Sequence, residues 1–117
     1  MITQEQIEEI KTRLVTAYNP LKIYIYGPYA WGKPDDEDAF KVLVIIEKSD
    51  EEPYKRGWKA FQVLMGLEVQ RSVTVFTKEE FDKFSSDATS FSFEVKNKGK
   101  VLYATTTPSN FSKIIHV

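Results

Sequence analysis

Gly27 and Gly32 bracket six residues, Gly27, Pro28, Tyr29, Ala30, Trp31 and Gly32, between a hydrophobic segment and an acidic turn. Glycines after a strand let the backbone approach a phosphate, and free amides there bind it. Asp35, Asp36, Glu37 and Asp38 follow, and carboxylates at such a point can hold a hard cation. Lys41 comes next. It is read in two ways: as a cation that meets phosphate or the acids at Asp36, Glu37 and Asp38, or as a lysine that reaches water from a sheet face. Tyr29 and Trp31 could stack on a base or ribose, or close the core beside the loop. His116 is the only histidine and is next to last, where a general base lacks a fixed position. With no cysteine, thiolate ligands, thiol nucleophiles and disulfides are all excluded.

These residues need a scaffold, and the surrounding sequence describes one. The 117 residues suit one domain, and 42% hydrophobic content is enough to build its core. Thr3 with Gln6 forms a capping box, and Ile7, Ile10, Leu14 and Ala17 recur at helical spacing up to Asn19-Pro20. Residues 21–26 (LKIYIY) read as a strand, and residues 29–32 as one helical turn. Residues 40–47 (FKVLVIIE) read as a central strand covered on both faces. The short loop between these two strands makes them antiparallel neighbours.

Residues 53–65 predict a helix whose stripe of Trp58, Phe61, Leu64 and Met65 should face the core, with Gly66 as its stop. A third strand follows at 69–76, a capping box at Thr77 and Glu80, helices through 84 and over 87–97, and a last strand at 100–104. The expected fold is α+β, a mixed three- to four-stranded sheet with helices packed on it, over residues 1–104. Residues 105–117 are expected to form a C-terminal tail, with Phe111, Ile114 and Ile115 as its apolar residues. A net charge of -1 gives no general pull toward nucleic acid or anionic membrane. The polar N-terminus is unlike a secretory signal, and no apolar run is long enough to span a bilayer, so a cytoplasmic protein is expected. Apolar sheet edges often pair, which makes a homodimer an expectation too.

The loop, the acidic turn and the apolar strand together resemble the minimal nucleotidyltransferases of the DNA polymerase beta superfamily, whose members include antitoxin-type domains. Their pattern is a strand, then Gly-Ser-x-Ala-x-Gly, a polar turn ending in Ser-Asp-x-Asp, and an apolar strand. Gly27, Ala30 and Gly32 match it, as do the turn length and the strand. The resemblance covers roughly residues 3–104, including the Thr77–Phe81 segment and the Gly99–Tyr103 segment. It implies a site that holds a nucleoside triphosphate and Mg²⁺, the metal being bound by two Asp on one strand and a third on its neighbour. Here the loop Ser falls on Pro28, the paired Asp on Ala39 and Lys41, and the third Asp on Ser72. Moving the alignment by one residue puts Asp38 at the first position but Phe40 at the second.

The resemblance therefore implies a degenerate nucleotide loop of Gly27, Tyr29, Gly32 and Lys41, with no catalytic residue and no metal ligand. Such a chain would be a binding or regulatory subunit, and by family analogy its partner would be a small helical protein of the HEPN type. The alternative is an active transferase whose Mg²⁺ is held by Asp36, Glu37 or Asp38.

Overall fold

The computed structural model describes residues 2–105. Helix α1 (Gln4–Tyr18) opens with both halves of the Thr3–Gln6 capping box, and Asn19 ends it in the left-handed conformation ahead of Pro20. Strand β1 (Lys22–Tyr26) runs into the single turn α2 (Pro28–Trp31), then β2 (Phe40–Ile46). Helix α3 (Pro53–Val63) crosses to β3 (Arg71–Thr77). Helices α4 (Lys78–Ser85) and α5 (Phe91–Lys98) lead to β4 (Lys100–Ala104). The second capping box, Thr77 with Glu80, is complete at the start of α4.

The four strands form one mixed sheet in the order β3-β2-β1-β4. β1 is antiparallel to both β2 and β4, while β2 and β3 are parallel. The expected antiparallel hairpin of β1 and β2 is therefore present, and β2 is internal, with six of its seven residues buried. Strand alternation splits the core in two. Phe40, Val42, Val44 and Ile46 meet Ile10 and Leu14 of α1 and Ala60 and Leu64 of α3 on one face. Leu43 and Ile45 meet Tyr24, Phe81 of α4 and Val95 of α5 on the other.

The helix α3 corrects the sequence reading. Only Leu64 of the expected stripe is buried; Trp58, Phe61 and Met65 are 60, 53 and 59% exposed. The inward face is Arg56, Ala60 and Leu64 instead. Two faces of this helix could have met the sheet. The chosen one brings Gly57 close to the Val73 carbonyl and gives the Arg56 guanidinium its carbonyl and carboxylate acceptors.

Helix α3 ends at Val63 rather than at 65, and two starts also move. β3 begins at Arg71 rather than at 69, because the Arg71 guanidinium donates to the carbonyls of Leu64, Leu67 and Val69 and holds that stretch as a loop. Helix α5 begins at Phe91 rather than at 87. The Asp87 carboxylate accepts from the Thr89 amide and hydroxyl, and Ser90 caps the helix at the Phe93 amide. Such side-chain bonds compete with helical ones. Among the described residues no helix is long and apolar enough to cross a membrane. Thr105 donates its amide to the Leu21 carbonyl; the expected tail beyond it, with Phe111, Ile114, Ile115 and His116, lies outside the described residues.

Candidate functional site

Gly27 ends β1 at φ +76° and ψ -157°, a conformation that only glycine adopts without strain. Its missing side chain also makes room. A Cβ there would lie 3.1 Å from Cδ of Lys41, which is the cross-strand neighbour of Tyr26. Gly32 closes the turn on Pro28, where a Cβ would lie 3.2 Å from the Pro28 Cα. Both glycines thus have a backbone reason to be present. Replacing Gly27 with alanine is expected to cost about 1–3 kcal/mol of stability, measured by urea unfolding; an unchanged midpoint would mean that this backbone relaxes freely.

Three amides of the turn are already occupied. Those of Ala30 and Trp31 donate to the Gly27 carbonyl at 2.8 and 3.1 Å, and that of Gly32 donates to the Pro28 carbonyl at 3.0 Å. Pro28 has no amide hydrogen to offer. The turn thus spends three of its amides on its own carbonyls. The Tyr29 ring turns away from Lys41, toward the opposite face of the sheet. It packs edge-on against Phe40 with centroids 5.6 Å apart, and its hydroxyl accepts the Ile2 amide. Trp31 remains 39% exposed.

The carried-over positions converge. Lys41 and Ser72 are direct partners in the parallel register of β2 and β3, so their side chains leave the same face side by side. Ala39 lies two residues before Lys41, in the loop that leads into β2. Tyr26 continues the row on the other side of Lys41, and its ring meets Phe91 edge-on at 4.7 Å. Acids at 41 and 72 would therefore point at one spot, which holds an ammonium and an exposed hydroxyl.

The acidic turn beside it is engaged in its own folding. The Asp38 carboxylate accepts the Asp35 amide at 3.0 Å, and the Asp35 carboxylate accepts the Glu37 amide at 2.9 Å. Lys41 makes no ion pair with Asp36, Glu37 or Asp38. A cavity of about 190 Å³ lies next to the turn, lined by Tyr29, Asp36, Asp38 and Glu68 among others. Among the described residues no group of three or more His, Cys, Asp or Glu side chains is arranged to hold a metal ion.

One charged residue that the sequence left unassigned is central to the fold. Arg56 is 5% exposed and binds Glu80 through both terminal nitrogens, at 2.6 and 3.2 Å. It also donates to the carbonyls of Val75 and Glu51. Its guanidinium, first among the causes, holds the Glu80 carboxyl below the ordinary carboxylate range. Glu80 is at the same time the return half of the α4 capping box. In the sequence Arg56 sits beside Lys55 with no periodic signal to separate a buried cation from a solvated one.

No protein-family model matches the chain, and no curated protein matches it significantly. Among solved structures it is similar to a putative nucleotidyltransferase from Sulfolobus solfataricus, at 15% identity and a TM-score of 0.60. The match covers 85% of this chain and 78% of the other. Identity this low establishes architecture alone. The chain has a nucleotidyltransferase-like fold, a mixed four-stranded sheet with five helices among the described residues.

Proposed function

We propose that this chain is a nucleotidyltransferase-like domain that does not transfer nucleotides and acts as a binding or regulatory subunit, in the manner of an antitoxin. The observation that carries the proposal is the pairing of Lys41 with Ser72 on adjacent strands, at the spot where a transferase of this fold would need carboxylates. A divalent cation about 4 Å from an ammonium is repelled by about 8 kcal/mol at an effective dielectric constant of about 20. No carboxylate at 39, 41 or 72 offsets that repulsion. The proposed partner is a small helical protein of the HEPN type, which the sequence resemblance implies, and the proposed location is the cytoplasm.

Titration of the full chain with ATP or GTP, with and without Mg²⁺, tests this reading by calorimetry and melting temperature. No metal-dependent binding is expected. Ligand at a hundred times its dissociation constant would add about 2.7 kcal/mol of stability, enough to move the melting temperature of a domain this size by several degrees. Mg²⁺-dependent binding that disappears in Asp38→Ala would overturn the proposal and favour an active enzyme using the acidic turn. Metal-independent stabilisation that disappears in Lys41→Ala would keep it and assign Lys41 to the phosphates.

A further inference from the structure

Helix α3 carries an apolar line that the described residues leave exposed. Tyr54, Trp58 and Phe61 recur at spacings of four and three, which puts them on one side of the helix, and Met65 follows four residues on in the turn that ends it. They are 74, 60, 53 and 59% exposed. The Trp58 and Phe61 rings already stack, with centroids 5.2 Å apart and planes 16° apart, so the surface is partly ordered before anything docks on it. With roughly 200 Å² for each such side chain, these fractions leave about 500 Å² of apolar surface in one stripe. Two copies would remove about 1,000 Å² from water, the level at which specific interfaces begin.

The stripe is complementary to itself. Reversing the helix direction maps Tyr54 onto Met65 and Trp58 onto Phe61, as a two-fold axis between positions 59 and 60 requires. The exposed flank on one side is Lys55 and Gln62. Antiparallel pairing keeps this flank of one copy beside the same flank of the other and puts each lysine near a glutamine. On the other flank, beside Phe61, a groove of about 440 Å³ opens between α3 and β3 over Gly57, Leu64 and Val73. A net charge of -1 adds almost no repulsion between copies.

We propose that α3 is a homodimer interface in which two copies pair antiparallel through Tyr54, Trp58, Phe61 and Met65. No residue of the Gly27, Lys41 and Ser72 site takes part, so the proposal stands or falls separately from the reading of that site.

Sedimentation equilibrium of the full chain is the test. The expected mass is twice the 13.5 kDa of one chain, with a dissociation constant on the order of micromolar for an interface this small. Trp58→Glu combined with Phe61→Glu should weaken dimerisation about 100-fold and leave the circular dichroism spectrum unchanged, because both side chains are already in water. Gln62→Glu should tighten it about threefold at low salt, since each new carboxylate meets Lys55 of the other copy. A wild-type chain that stays monomeric into the millimolar range would overturn the proposal and leave the stripe to a different protein. A dimer that survives the double substitution would place the contact elsewhere. A dimer that Gln62→Glu weakens would overturn the antiparallel arrangement.

Discussion

Replacing Glu80 with alanine is expected to lower the unfolding free energy by about 3 kcal/mol. The substitution strands the Arg56 guanidinium, which is 5% exposed, and removes the return half of the α4 capping box. A buried charge without its partner keeps the desolvation cost and loses the attraction. Arg56→Met is expected to cost about half as much. It leaves Glu80, whose side chain is 28% exposed and can take water in place of the guanidinium. Urea unfolding should show the order directly, with the Glu80→Ala midpoint at least about 1 M below wild type. Equal losses in the two variants would mean that the buried cation is no harder to strand than the half-buried anion.

The same pair sets an acid limit on stability. The Glu80 carboxyl is held below its ordinary value of 4.5 in the folded chain, chiefly by the Arg56 hydrogen bond. A depressed folded value means that this stabilisation is fully present above the unfolded value. It is lost as pH falls through the folded one. Stability of the wild type should therefore drop below about pH 4.5, and Glu80→Gln should flatten that drop. Asp87 is held down as well, by the Thr89 amide first and then its hydroxyl, so some acid slope should persist in the variant.

The signals that survive from sequence to structure are local ones. Thr3 with Gln6 and Thr77 with Glu80 start helices because each pair satisfies orphan amides within one turn, whatever lies beyond. The apolar run 40–46 is an internal strand because both of its faces are covered. The failures are questions of partner choice. The spacing in α3 marks an apolar side and does not say that the sheet takes the other one, where Arg56, Ala60 and Leu64 sit. Arg56 is legible as a buried cation only once Val75, Glu51 and Glu80 are brought around it from three separate segments. At the site, the match of Gly27 and Gly32 to a known pattern was readable. Their actual roles, a positive φ beside Lys41 and a close approach to Pro28, needed the backbone. The turn of Tyr29 away from that site depended on Phe40 and the Ile2 amide, which no spacing announces.

The proposed loss of chemistry can be reversed if the positions are right. Pro28→Ser, Ala39→Asp, Lys41→Asp and Ser72→Asp, made together, restore the hydroxyl and three carboxylates. In the parallel register, positions 41 and 72 are direct neighbours, and position 39 precedes β2 by one residue. Without metal, the three like charges should repel one another and lower stability. Mg²⁺ should then bind and return part of that loss, about 1.4 kcal/mol at ten times its dissociation constant. The most direct measurement is calorimetric titration of Mg²⁺ into the fourfold variant and into wild type, with folding checked by circular dichroism. Saturable binding in the variant and none in wild type is the result predicted. A folded variant that binds no Mg²⁺ would contradict the assignment of positions 39, 41 and 72 as the place where the metal ligands are missing.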